Sequence, residues 1–187
     1  MRSTADQVDS MMASYAGDVP GAALLVLQDG EPLVRRGYGL ADLEHGTAVT
    51  PDTRFRLASV SKQFTAAAIL LLVQDGTLSL DDPLRRWLPT LPPATGGITL
   101  HHLLSHSSGL VDYEDLLPPD LGGQVQDADV LRLLEGVDRL DFEPGSAYRY
   151  SNSGYALLAL IVGLFDFVGV LQAGLSDPDW LMAESVR

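Results

Sequence analysis

Ser59 and Lys62 stand three residues apart in the stretch Phe55-Arg56-Leu57-Ala58-Ser59-Val60-Ser61-Lys62-Gln63-Phe64. Lys62 is the sole lysine of the chain; the other 11 of its 12 basic residues are arginines. Arginine keeps its proton in any protein setting, whereas a desolvated lysine can give it up. If a helix begins near Ser59, residues at i and i+3 share a face about one turn apart, and the amine reaches the hydroxyl. That is the nucleophile-and-base pairing covalent catalysis requires. The positive end of the helix dipole and burial both disfavour the ammonium, and so both push Lys62 towards a working base. The competing interpretation makes Ser59 a helix cap and the single lysine an accident of codon usage. A capping box, however, wants glutamate or glutamine at the third helical position; Lys62 is the wrong charge there, at a cost of roughly 0.3–1 kcal/mol. A local rule broken without a stability reason points to function.

A second polar cluster, Tyr148-Arg149-Tyr150-Ser151-Asn152-Ser153-Gly154-Tyr155, follows the turn Phe142-Glu143-Pro144-Gly145 and precedes an apolar run. Tyr150 and Asn152, two apart on a tight loop, can face one pocket. The tyrosine can relay a proton to a leaving group, helped where an ammonium lowers its pKa. The asparagine can hold a carbonyl or orient the lysine. Tyr155 is better read as core. His101, His102 and His106 include an i, i+4 pair, but Leu103 stands where a His-Glu-x-x-His zinc motif needs glutamate. Imidazoles bonding backbone at a helix end are the expected role, and no metal or other cofactor is assigned.

Around these residues the pattern predicts an amphipathic helix over 5–16 and a buried strand over Ala22–Gln28. An Asp29-Gly30 turn then leads to a second strand over Glu31–Tyr38. Gly39–Thr53 reads as loop. Ser59–Asp75 reads as a helix apolar nearly all round, hence central and buried, closed by Gly76. Short helices are expected after Pro83 through Trp87, from Leu100 to His106 behind a Thr99 cap, and over Asp127–Val137. A last apolar helix should run from the Asn152–Gly154 start to Val162. Two strands followed by helices suggest a two-layer α+β arrangement, although two strands alone make a poor sheet.

The 187 residues, 46% hydrophobic and 20% charged, suit one ordinary globular domain. A net charge of -13 argues against nucleic-acid or anionic-membrane partners. The chain has no cysteine, which excludes disulfide and thiol chemistry. No apolar run is long enough to span a bilayer, and the first 20 residues carry no secretory signal. A cytoplasmic protein is expected from the chain as written, and a periplasmic or extracellular one if a leader precedes it.

Several stretches in order resemble the serine β-lactamase and penicillin-binding-protein superfamily, in its class C-like branch. They are Val19-Pro20-Gly21-Ala22, Gly37-Tyr38-Gly39, Arg56 to Ala66, Gly76 to Pro83, Leu103 to Leu110 and Tyr150-Ser151-Asn152-Ser153-Gly154-Tyr155. The resemblance implies the N-terminal part of a β-lactamase/transpeptidase-like α+β fold over 1–162, with 163–187 a divergent tail. It implies Ser59 as the acylated nucleophile, Lys62 and Tyr150 as proton-transfer groups, Asn152 as their companion, and the Ser59 N–H as half of an oxyanion hole. The substrate would be a small-molecule or peptide acyl compound: an ester, a β-lactam or a D-Ala peptide. The family's Lys-Thr-Gly or His-x-Gly strand has no counterpart after Tyr155. An altered reading frame, a truncated gene or a naturally short variant would each give this pattern. The alternative to a hydrolase is therefore an inactive fragment or a noncatalytic binding module of the same fold.

Overall fold

The computed structural model of the chain describes residues 3–118 and 122–165. Residues 166–187, most of the stretch expected to be a divergent tail, lie outside the described residues. The chain divides into two compact units, one ending at Leu57 and one beginning at Ala58.

In the first unit, helix α1 (Thr4–Met11) starts where Ser3 and Asp6 form a reciprocal capping box. It gives way to a 3-10 turn at Ala13–Tyr15 instead of running on to residue 16. Strands β1 (Ala22–Gln28) and β2 (Glu31–Tyr38) pair antiparallel through the Asp29-Gly30 turn. Both turn residues have positive φ, 51° and 83°, as the commonest two-residue hairpin turns demand. The register slips between Val26 and Leu27, beside Pro32, which has no N–H to give the ladder. Helix α1 is tied to β2 by an Arg36–Asp9 ion pair and by the Tyr38 hydroxyl donating to Asp9 over 2.8 Å.

Two expectations need correction here. Strand β1 is not buried on both faces: Leu25 and Leu27 are 55% and 54% exposed. The strand belongs to a two-stranded sheet, so alternate side chains have no second layer to enter. The segment read as loop holds a second small hairpin, β3 (Leu40–Asp42) with β4 (Thr47–Ala48). Its strands are too short for an alternating pattern to register.

The second unit is helical. The 3-10 turn Ala58–Ser61 leads into α2 (Lys62–Gln74), and α3 (Leu84–Trp87), α4 (Leu100–Leu104), α5 (Asp127–Glu135) and α6 (Asn152–Val162) follow. Helix α6 packs on α2, α4 and α5 and is the axis of the core. Leu157, Leu158 and Ile161 on it are fully buried, as are Ile69, Leu84, Ile98 and Leu100 around it. Each such side chain contributes about 1.5–3 kcal/mol of burial. Gly109, at φ 73°, lets the segment after α4 press against Phe142; a Cβ there would stand 2.0 Å from the Phe142 carbonyl oxygen.

Helix α2 is buried on one side only. Ala68, Ile69, Leu71 and Leu72 are enclosed, but Phe64 and Leu70 are 54% and 48% exposed. Its all-round apolar sequence exceeds the cover it receives. Helix α4 stops at Leu104 rather than His106, because His106 takes a left-handed conformation with φ 56°. No helix among the described residues is long and apolar enough to cross a membrane.

Candidate active site

Ser59 lies on the 3-10 turn that feeds α2, and Lys62 is the first residue of the helix proper. The residue before the serine, Ala58, has φ 47°, a conformation that costs an L-residue roughly 1–2 kcal/mol. Such strain collects at functional sites, where the surrounding structure holds it. It turns the chain sharply just before the hydroxyl.

The amine and the hydroxyl meet as the spacing requires: Lys62 Nζ donates to Ser59 Oγ over 3.3 Å. A shorter contact comes from far along the chain. Tyr150, from the loop before α6, donates its hydroxyl to Ser59 Oγ over 2.7 Å. Asn152, the first residue of α6, accepts from Lys62 Nζ at Oδ1 over 2.8 Å. The Lys62 ammonium also lies 4.9 Å from the centre of the Tyr150 ring and 5.5 Å from that of Tyr155. The structure therefore brings Ser59, Lys62, Tyr150 and Asn152 into one hydrogen-bonded group. Lys62 and Asn152 are half-buried, while Ser59 and Tyr150 are exposed.

Tyr150 and the neighbouring Tyr155 are driven in opposite directions. Lys62, followed by the Ser59 hydrogen bond, holds the Tyr150 phenol below the usual tyrosine range. Burial, and then Tyr150, pushes Tyr155 up. Tyr155 stays protonated, donates to the Leu104 carbonyl over 3.1 Å, and packs at the edge of the core.

A surrounding layer was not legible in the sequence. The Asp112 carboxylate accepts from the Asn152 N–H over 2.8 Å at the start of α6. It supplies the cap that Ser151 does not, since Ser151 makes no side-chain capping bond. Glu114 accepts from Asn152 Nδ2 over 3.0 Å, which turns the amide so that Oδ1 faces Lys62. Ser153, fully buried, accepts from the Tyr113 N–H over 2.8 Å and donates to the Val111 carbonyl over 2.9 Å. Each of these contacts joins α6 to a segment about 40 residues earlier, which local patterning does not report.

Of the three histidines, His102 and His106 accept from backbone N–H groups, while the exposed His101 ring stands edge-on to His102. His102 Nδ1 accepts from the Thr99 N–H over 3.2 Å, standing in for the glutamate of a capping box. His106 Nδ1 accepts from the Ser151 N–H over 3.2 Å. Among the described residues the one grouping with metal-ligand spacing is Asp42, Glu44 and His45, in the first unit.

Comparison with known proteins places this geometry in a wider setting. The family model described as Beta-lactamase matches residues 5–167. The chain is 37% identical over 158 residues to a D-aminopeptidase of Gluconobacter oxydans, covering 83% of this chain and 29% of that protein. It is 44% identical over 147 residues to Esterase EstB of Burkholderia gladioli, covering 70% of this chain and 37% of that protein. The crystal structure of D-amino acid amidase from Ochrobactrum anthropi SV3 complexed with L-phenylalanine superposes with a TM-score of 0.70 at 31% identity, over 91% of this chain and 47% of that one. The chain thus spans about a third of the length of these two curated relatives and about half of the solved one.

Proposed function

Because this chain belongs to the Beta-lactamase family, we propose that it is built for acyl transfer through an ester on Ser59. The relatives named above, an aminopeptidase, an esterase and an amidase, are hydrolases that release an acyl group from nitrogen or oxygen. The observation that carries the reading is the Ser59 hydroxyl held between Tyr150 at 2.7 Å and Lys62 at 3.3 Å.

In this reading Tyr150 in its phenolate form takes the Ser59 proton as Oγ attacks the substrate carbonyl. The Lys62 ammonium, held by Asn152, stabilises that phenolate and keeps the charge of the group balanced. Lys62 thus assists the proton transfer as a charge and does not act as the base that its spacing from Ser59 suggests. The Ser59 backbone N–H supplies one donor to the oxyanion. When the tetrahedral intermediate collapses, Tyr150 returns the proton to the departing amine or alkoxide, leaving an acyl-enzyme. Water then attacks the ester with Tyr150 again as base, and Ser59 is regenerated. The substrate is a small-molecule or peptide acyl compound: an ester, a β-lactam or a D-amino-acid amide or peptide.

A second reading, a noncatalytic acyl-binding module or an inactive fragment of this fold, is favoured by the exposure of Ser59 and of Tyr150, which is 45% exposed. Water at such a site weakens every electrostatic contact within it. One experiment separates the two. The purified chain is treated with a fluorophosphonate or a reporter penicillin and digested for mass spectrometry. A covalent adduct on Ser59, missing from Ser59→Ala, supports the acyl-transfer reading. No adduct at high protein concentration supports the noncatalytic one.

A further inference from the structure

We propose that His106 is the positioning residue for Tyr150: its ring and its backbone together hold the 149–151 segment so that the phenol meets Ser59 and Lys62. The consequence for catalysis rests on the acyl-transfer reading; the positioning itself rests on the geometry alone.

The closure of α4 shows what is unusual. Ser107 N–H donates to the His102 carbonyl over 2.8 Å and His106 N–H to the Leu103 carbonyl over 3.3 Å. This two-bond pattern normally places glycine at the left-handed position. Here that position, at φ 56°, is His106. Glycine would fit without strain, so the imidazole is present for something glycine lacks.

The ring is surrounded by the tyrosines of the site. Its centroid lies 4.7 Å from that of Tyr150 and 5.1 Å from that of Tyr155, each tilted by 34°, with Tyr148 edge-on at 6.0 Å. The His106 carbonyl accepts from the Arg149 N–H over 3.0 Å, and Nδ1 accepts from the Ser151 N–H over 3.2 Å. The residues on both sides of Tyr150 are therefore tied to one residue, and the ring between them packs on the phenol.

The Ser151 bond needs a lone pair on Nδ1, which fixes the proton on Nε2. Burial, followed by the Lys62 ammonium, holds His106 below the usual histidine range and so keeps it neutral. The other titratable groups facing the ring are the phenols of Tyr148, Tyr150 and Tyr155. The Arg149 guanidinium pairs with Asp141 and Asp115. Protonation of Nδ1 would oppose a donor to the Ser151 N–H and set a second cation beside Lys62.

The test is an ultraviolet difference titration of Tyr150, isolated by subtracting Tyr150→Phe, in the native chain and in His106→Gly. The native chain should titrate Tyr150 below an ordinary tyrosine. His106→Gly relieves the backbone strain and should keep its cooperative melt, yet return Tyr150 to the ordinary tyrosine value. Labelling of Ser59 should slow by about 10²-fold, the scale expected for misplacing a reacting group. A folded His106→Gly that still titrates Tyr150 low, or a native chain that does not, overturns the proposal. If His106→Gly fails to fold, nitrogen NMR of the native imidazole decides: the Nε2–H tautomer at neutral pH supports it and Nδ1–H overturns it. A native chain that never labels at Ser59, with Tyr150 shifting as expected, sinks the acyl-transfer reading alone. Labelling that survives His106→Gly unchanged sinks this one alone.

Discussion

The Ser153→Ala substitution removes a single oxygen from a residue with no exposed surface. That oxygen accepts from Tyr113 N–H at 2.8 Å and donates to the Val111 carbonyl at 2.9 Å, so α6 and the 111–113 segment are joined through it. Alanine leaves one backbone donor and one backbone acceptor facing a methyl group, and Val111 is itself only 3% exposed. A buried polar group stripped of its partner costs about 1–3 kcal/mol. Two such groups in one place, sharing any relaxation, give about 2–4 kcal/mol. For a chain of this size that lowers the melting temperature by roughly 5–15 °C, at about 2–4 °C per kcal/mol. The segment also carries Asp112, whose carboxylate caps α6 at the Asn152 N–H, so the loss should reach Asn152 and its bond to Lys62. The measurement is a urea and thermal melt followed by circular dichroism at low protein concentration. Ser105→Ala is the control: this exposed hydroxyl makes only local bonds, to the His101 carbonyl at 2.7 Å and the Ser107 hydroxyl at 2.8 Å, and its loss should change stability by less than about 0.5 kcal/mol. A Ser153→Ala chain within about 0.5 kcal/mol of the native one would refute the claim that this hydroxyl fastens α6 to the loop.

Gly109→Ala should destabilise strongly, by at least the roughly 1–2 kcal/mol of left-handed strain plus the displacement of Phe142, whose oxygen would lie 2.0 Å from the new methyl; a melt equal to that of the native chain would contradict it. Ser151→Ala should be neutral or slightly stabilising, since the buried Ser151 Oγ has no hydrogen-bond partner among the described residues, and chemical denaturation checks the sign. Because the folded pKa of His106 is depressed by burial and by Lys62, the unfolded chain takes up its proton first as pH falls. The stability His106 confers is present above its unfolded pKa of about 6.5 and is lost as pH falls through the lower folded value. His106→Asn should flatten the stability profile across that window relative to the native chain; an unchanged slope would be evidence against a neutral, bonded imidazole. The exposed apolar side chains Leu25, Leu27, Phe64 and Leu70 and the two open-edged two-stranded sheets should make the chain associate as its concentration rises, which light scattering would reveal.

Much of the site could be read locally, and the reason lies in helix geometry. Three residues of separation at a helix start set the reach from Lys62 to Ser59 whatever the rest of the chain does. The Asp29-Gly30 turn, the Thr99 cap and the apolar run of α6 are likewise short-range properties of the backbone. Spacing put Tyr150 and Asn152 together on one loop, but only the resemblance of their motif to a known family joined that loop to Ser59 and Lys62. Their contacts to Ser59 and Lys62 cross 91 and 90 residues of sequence.

What only the tertiary structure decided is which partners complete those local pieces. A continuous apolar run announces burial but not on which faces, so β1 and α2 carry more apolar surface than their neighbours cover. The cap of α6 comes from Asp112, forty positions earlier, and the glycine-like turn after α4 is made by a histidine whose ring serves a different segment. Sequence alone determined a serine with a lysine one turn away. Packing of α6 on α2 and α4 set a phenol of depressed pKa against that serine, because hydrogen bonds and burial depend on distances that only the folded chain creates.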